Sequence, residues 1–224
     1  MIDKLKSRIF EINQFDSPYR IYTDVETSGK DPFTNDIISG SMILTDKDFN
    51  ELDVLTFKSR PEGTTWDQEA ADNSHKIKLT EAILYPHPLE TIEKIDNFLS
   101  NWHEPGNPYI PMFFHATTND VWERNEEGKA IGLRIIKNFD WAFYVAMYWK
   151  WNKTPMLFKF FSDQLLVPTV RLGRIAGFKR NRLNQWSERI GFDLKHHEDL
   201  SDTRGCMAVH KYLSNLNKPV EALI

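Results

Sequence analysis

Residues 20–30 read Arg-Ile-Tyr-Thr-Asp-Val-Glu-Thr-Ser-Gly-Lys and constrain this chain more than any other stretch. Ile21, Tyr22, Thr23 and Val25 favour a pleated strand, and Asp24 and Glu26 stand two residues apart within it. Successive strand side chains alternate faces, so both carboxylates point the same way. Two like charges on one face near the end of a core strand are costly unless a cation sits between them. A divalent metal is the usual solution. Thr27-Ser28-Gly29 then supplies turn chemistry and leaves the acids at the carboxyl end of the strand. On this stretch alone, an edge strand with two solvated acids fits equally well.

The remainder of the chain narrows the classes of protein open to it. At 224 residues it is long enough to bury a substantial core. A hydrophobic content of 41% with 27% charged residues is ordinary for a globular protein. The net charge of −4 argues against coating a polyanion by bulk charge, although cations at an acidic site would restore positive potential locally. The single cysteine, Cys206, excludes an intrachain disulfide and a cysteine zinc cluster. No run approaches the roughly 20 apolar residues of a membrane span, and the first residues lack the apolar core of a signal peptide. The expectation is a cytoplasmic protein without a membrane partner.

Hydrophobic pattern and turn chemistry divide the chain as follows. Residues 1–19 read as an N-terminal arm, 20–216 as one domain and 217–224 as a short C-terminal tail. Strands are expected at 20–26, Ile37–Leu44 and Leu52–Lys58, the last two joined by the polar turn Thr45–Asn50 into an antiparallel meander. Residues 64–82 read as a loop with short helical pieces. Leu89–Trp102 has helical period and stops before Pro105-Gly106. Tyr109–His115 is apolar enough for a fourth strand. Residues 117–137 resemble a hairpin around a glycine turn. An aromatic helix follows over about Asp140–Trp151, with a further strand at Leu157–Phe161. Thr169–Ile175, Leu183–Ile190 and Asp202–Leu216 complete the pattern as helices. The sum is an α/β domain whose mixed sheet begins with a meander and carries helices on its faces.

Further groups accompany the opening acids. Asp140 stands at the start of the aromatic helix, where a capping role is an equal alternative. His197 precedes Asp202 by five residues. Asp202, Cys206, Val209 and Leu213, spaced by four, three and four, share one helix face. That face points at the sheet, and an acid aimed at a core calls for a cation.

In order and with their flanks, Asp24-x-Glu26-Thr27-x-Gly29, Asn138-Phe139-Asp140 and His197-x4-Asp202 resemble the three motifs of the DEDDh 3'-to-5' exonucleases, the superfamily of the proofreading epsilon subunit. Ala70–Ile77 is similar to that family's segment ending in His-Gly-Ile, with His75 at the His and Lys76 replacing the Gly. The C-terminal helical run also matches in order, so the resemblance covers residues 19–216. Two departures stand out. The family joins its fourth strand directly to a His-Asn-x-x-Phe-Asp segment, whereas here His115-Ala116 and Asn138 are separated by the hairpin: either the hairpin is an insertion or the fourth strand lies elsewhere. Residue 169 is Thr where many relatives have Asp.

The resemblance implies an RNase H-like fold and a two-metal phosphodiesterase using two Mg²⁺ or Mn²⁺ ions, to which an all-carboxylate donor set is suited. It assigns Asp24 as the ligand bridging both ions and places Glu26 and Asp202 at the ion that activates water. Asp140 goes to the second ion, and His197 becomes the general base. Thr27 would line the terminal nucleotide, and His75 is a weaker candidate contact; His196 and His210 read as structural or solvated. Trp66, Trp122 and Phe33 are available for base stacking, although packing explains each as well. Arg171, Arg174, Lys179, Arg180 and Arg182 form the densest basic run, a phosphate track or a solvated face. The implied activity releases nucleoside 5'-monophosphates from DNA 3' ends, single-stranded or frayed. The alternatives are an exoribonuclease of the same fold, distinguished by 2'-hydroxyl contacts that the motifs do not encode, and a silent nucleic-acid- or polymerase-binding module. Retention of all five groups weighs against the silent module. A polymerase partner is compatible with the sequence but not indicated by it.

Overall fold

The computed structural model describes residues 17–63, 65–102, 110–115, 118–125, 127, 129–153, 166–179 and 182–216. Its frame is a five-stranded sheet with β1 (Tyr19–Thr27) at the centre. On one side β1 pairs antiparallel with β2 (Ile37–Asp46), which pairs antiparallel with β3 (Glu51–Lys58). This is the expected meander. After α1 (Pro88–Ser100) the chain returns as β4 (Met112–Phe114), parallel to β1 on its other side, with Ile21 opposite Met112. A hairpin of β5 (Thr118–Arg124) and β6 (Ala130–Lys137) forms a separate two-stranded sheet before α2 (Phe139–Lys150). Then come β7 (Leu166–Pro168), parallel to β4, and α3 (Thr169–Ile175), α4 (Leu183–Ile190) and α5 (Asp199–Asn215).

Alternation along β1 decides which helix meets which face. Ile21 and Val25 enter one core with Ile92, Ile95 and Leu99 of α1 and Phe143, Tyr144 and Met147 of α2. Tyr22 enters the other with Leu183 and Trp186 of α4 and Cys206, Val209 and Leu213 of α5. Asp24 and Glu26 therefore share the Tyr22 face and look toward α5. The opposite face carries Thr23, whose hydroxyl lies 2.7 Å from that of Tyr144 and donates to the Ser41 carbonyl. These buried hydroxyls tie α2 to the two central strands.

Two readings need correction. The last helix begins at Asp199, three residues before the expected start, so Asp202 lies within its first turn instead of opening it. Strand β7 went unread because three residues, one of them proline, carry no periodicity. The aromatic helix is buried on most of its circumference, though Trp149 is 62% exposed. The strand expected at Leu157–Phe161 lies outside the described residues, as do the arm over residues 1–16 and the tail. Among the described residues, no helix is long and apolar enough to cross a membrane.

His210 is part of the second core, not solvated. Its Nδ1 is 2.7 Å from the Tyr22 hydroxyl and its ring stacks on Phe113 at 4.0 Å. Burial, aided by the Arg20 charge, holds this imidazole down at about 3. The unfolded chain takes up a proton below about pH 6.5 while the folded one does not, so stability is lost as pH falls from there toward 3. His210→Gln keeps an acceptor for Tyr22 but cannot titrate. In urea unfolding, the variant should lose less stability than the parent between pH 6.5 and 4.5, by roughly 2 kcal/mol. Parallel acid limbs would refute this account.

Candidate active site

The carboxylates meet at the carboxyl end of β1, beside the point where its neighbours change from antiparallel β2 to parallel β4. Crevices at such reversals of sheet order are where open α/β sheets bind ligands. The cleft here measures about 360 Å³ and is lined by Asp24, Glu26, His115, Asp140, His197 and Asp202 among others. One carboxylate oxygen each from Asp24, Glu26 and Asp202 lie within 4.8 Å of one another. Asp24 and Glu26 are half-buried; Asp140 and Asp202 are only 3% and 4% exposed.

Each acid reaches the cleft by a different device. The pleat of β1 supplies Asp24 and Glu26. Asp140 comes from the first turn of α2, whose preceding residue Asn138 sits in left-handed backbone (φ 49°), a conformation asparagine tolerates well. A backbone N–H of Val25 donates to the Asp140 carboxyl, joining α2 to β1, while Oδ2 is buried with no hydrogen-bond partner. Asp202 accepts the His197 N–H at 2.6 Å and lies 3.1 Å from His196 Nδ1. His197 itself has φ 67°, an outlier of the kind that concentrates at functional sites.

The electrostatics are those of a site built for cations. Burial pushes Asp24 well above its usual range, and the charges of Asp140, Glu26 and Asp202 push the same way. Burial lifts Asp140 to about 7 despite its backbone hydrogen bonds. Asp202 is raised by burial against the opposing pull of His196 and of the His197 N–H. His197 is raised, mainly by its contact with Glu26, with Nδ1 3.5 Å from Oε1. Hard oxygen donors, mutual repulsion and an orphaned buried carboxylate oxygen all fit Mg²⁺ or Mn²⁺.

The five expected groups are thus brought to one cleft. Thr27 and His75 are not among the side chains lining it. Thr27 is buried and its hydroxyl donates to the Gly29 carbonyl. His75 is 6% exposed, accepts from the Ile77 N–H through Nδ1, and sits edge-on to Trp66. Its field is felt by the site, since the Glu26 charge raises its pKa and that of His197 lowers it, with burial lowering it most. Of the stacking candidates, Phe33 is 63% exposed, and the Trp122 side chain is outside the described residues. Of the basic run, Arg182 lines the cleft, and Arg180 is outside the described residues.

Three contributors escaped the sequence. His196, read as structural or solvated, stacks on His197 at 4.0 Å and contacts Asp202. Asp199 is half-buried, its Oδ1 accepting from Ser39 at 3.0 Å, and desolvation raises it to about 7. Thr169, at the position where relatives carry Asp, packs 2.9 Å from Nδ1 of the cleft residue His115. Its departure from the motif therefore costs no contact with the site. The adjacency of His196 to His197 was the one available signal for any of the three.

With this geometry in hand, comparison with solved structures gives the chain an RNase H-like fold. The particular neighbours are exonuclease I structures. Escherichia coli exonuclease I in complex with a dT13 oligonucleotide matches with a TM-score of 0.64 at 14% identity, over 88% of this chain and 41% of that one. The zinc-ion-bound form of the E. coli ExoI–ssDNA complex gives 0.65 at 14%, over 91% and 42%. A moderately thermophilic exonuclease I from Methylocaldum szegediense gives 0.63 at 18%, over 89% and 42%. The chain accordingly spans less than half the length of these neighbours. No protein-family model and no curated protein matches it.

The raised carboxyl of Asp140 yields a test. A folded-state value near 7 against 3.8 unfolded means that its stability contribution is greatest at low pH and declines as pH rises through this window. Asp140→Asn removes the charge but retains an acceptor. At pH 7.5 without metal it should be more stable than the parent by on the order of 1–2 kcal/mol, and it should gain less from added Mn²⁺. Thermal melts with EDTA and with Mn²⁺ decide. A lower melting point in EDTA with an undiminished Mn²⁺ gain would count against the cation reading.

Proposed function

We propose that this protein is a metal-dependent 3'-to-5' exonuclease that shortens DNA from single-stranded or frayed 3' ends and releases nucleoside 5'-monophosphates. The observation carrying this reading is the convergence of Asp24, Glu26, Asp140, His197 and Asp202, from three separate stretches of the chain, on one cleft at the sheet reversal. Support comes also from the neighbours, exonucleases solved with a dT13 oligonucleotide and with single-stranded DNA. Two hard divalent cations held by the four carboxylates would neutralise charge on the attacking and leaving oxygens of the phosphodiester.

The chain's own groups then divide the work. Asp24 would hold both ions; Glu26 and Asp202 would complete the set for the one that activates water, and Asp140 would hold the other. The His197 Nδ1 is turned to Glu26, which leaves Nε2 to take the proton from the attacking water. The water oxygen forms a bond to phosphorus, the bond to the 3'-oxygen breaks, and that oxygen leaves as an alkoxide that takes a proton from solvent in the open cleft to become the 3'-hydroxyl of the shortened strand. Arg182, exposed at the rim of the cleft, is placed to meet the phosphate backbone.

A 5'-labelled single-stranded DNA oligonucleotide incubated with Mg²⁺ or Mn²⁺ should give a ladder receding from the 3' end, with 5'-mononucleotides as product. Asp24→Ala should lower the rate at least a thousandfold, a loss of about 4 kcal/mol in transition-state stabilisation, while remaining folded by circular dichroism. Digestion at the parental rate would sink the proposal. A matched RNA oligomer run alongside should be the poorer substrate, and a faster RNA ladder would transfer the activity to RNA.

The hairpin supplies a second test. Its tip is self-contained: the Asn125 carboxamide oxygen accepts the N–H groups of Glu127 and Lys129. Replacing residues 125–129 with a two-residue Asn-Gly turn should change processivity or strand preference severalfold, and the melting temperature by less than about 3 °C. A large drop in melting temperature with unaltered digestion would show that the hairpin is structural only.

A further inference from the structure

The all-carboxylate set is not the only group of metal donors at this cleft. A ring nitrogen from each of His196 and His197, together with a carboxylate oxygen of Asp202, also lie within 4.8 Å of one another. Neighbouring residues of an extended chain point to opposite sides. The left-handed backbone at His197 reverses that, so the two imidazoles lie face to face at 4.0 Å with their planes 9° apart. His196 already has Nδ1 3.1 Å from Asp202 Oδ1. Its side chain is 47% exposed and so is free to turn, whereas Asp202 is held at 4%.

We propose that His196, His197 and Asp202 form a second metal site for a borderline-soft cation of the Zn²⁺ class, one that excludes the hard cations from Asp202. Two imidazoles and one carboxylate with an open fourth position are a donor set typical of zinc, and they contrast with the oxygen-only set of Asp24, Glu26, Asp140 and Asp202. Metal–donor bonds near 2.0–2.1 Å imply donor separations of about 3.3 Å in a tetrahedron. Reaching that from within 4.8 Å requires the exposed His196 ring to tilt out of its stack and no movement of the buried carboxylate. Asp202 then has its oxygens in one centre or the other. A Zn²⁺ ion here would also occupy the imidazole that the nuclease reading assigns as base. The site itself does not depend on that reading, which enters only in naming Mg²⁺ or Mn²⁺ as the displaced ions.

The test uses the full chain, metal-stripped, and reads binding alone. Zn²⁺ titrated by calorimetry should bind, and Co²⁺ as a surrogate should show the intense visible bands of a low-coordinate, nitrogen-ligated ion. Mn²⁺ followed by electron paramagnetic resonance should bind at least tenfold more weakly once one equivalent of Zn²⁺ is present. In His196→Ala, Zn²⁺ affinity should fall tenfold or more and the cobalt bands should vanish. The exposed position of His196 makes a folding failure in this variant unexpected, and His196→Gln provides a second, polar replacement. Equal Zn²⁺ affinity in parent and both variants, or Zn²⁺ and Mn²⁺ binding together without mutual weakening, would overturn the proposal. Failure of nucleolysis with every metal would defeat the nuclease reading and leave these binding results to stand.

Discussion

Repulsion among carboxylates that cannot move apart is the constraint on which this architecture depends. Asp24 and Glu26 are fixed to one face of β1 by the pleat, Asp202 is fixed by the buried face of α5, and Asp140 by the first turn of α2. Each raises the cost of ionising another, and burial adds to it. Such an arrangement persists only because apolar packing on both faces of the sheet holds the elements together against it. The two cores, with Phe143, Tyr144 and Met147 on one side and Trp186, Cys206 and Val209 on the other, are the opposing force. The strain is local, and a bound cation would relieve it.

The packing also explains why the site is precise without being closed. Helices α2 and α5 approach β1 from opposite faces, yet both bring an acid to the same end of it. Thr23 and Tyr144 fix one approach through paired buried hydroxyls. Ser41 fixes the other, donating to the Asp199 carbonyl at 3.0 Å and lying 2.6 Å from the Thr203 hydroxyl. Polar groups buried in a sheet are costly unless paired, and these are paired with the helices that carry Asp140 and Asp202. Directional bonds therefore set the position of the acids, and the non-directional core holds them there.

Much of this was legible in the chain. Period-two acids on a β-rich run, a helix face ending in Asp202, and a five-residue His–Asp spacing all describe relations within one element, where sequence distance maps directly onto space. What the sequence could not give were relations set by unusual backbone or by contact between distant elements. His196 read as solvated because an ordinary chain would turn it away from His197; a positive φ puts it on the site. Thr169 read only as a missing acid because its partner His115 lies 54 positions away in the chain. Asp199 was passed over because the helix start was placed three residues late, which left it in a loop on paper and in the first turn in fact. Strand β7 lacked any pattern; its parallel pairing to β4 and the burial of Leu166 and Val167 hold it.

The hairpin between β4 and α2 shows why motif spacing is a poor criterion and register a good one. It separates His115 from Asn138 by more than twenty residues, a gap that breaks the contiguous pattern of the resembled family. Antiparallel pairing cancels the gap, because Thr118 stands opposite Lys137 and the chain returns to within one strand spacing of where it left. The residue after β6 then occupies the place that a short turn would otherwise supply, and Asn138 in left-handed backbone redirects the chain into α2. A hairpin that closes on itself in this way returns the chain to α2 and Asp140. Such an insertion can vary in length and sequence without moving a ligand. The hairpin is thereby mechanically independent of the carboxylates, because its strands pair with each other and not with the main sheet.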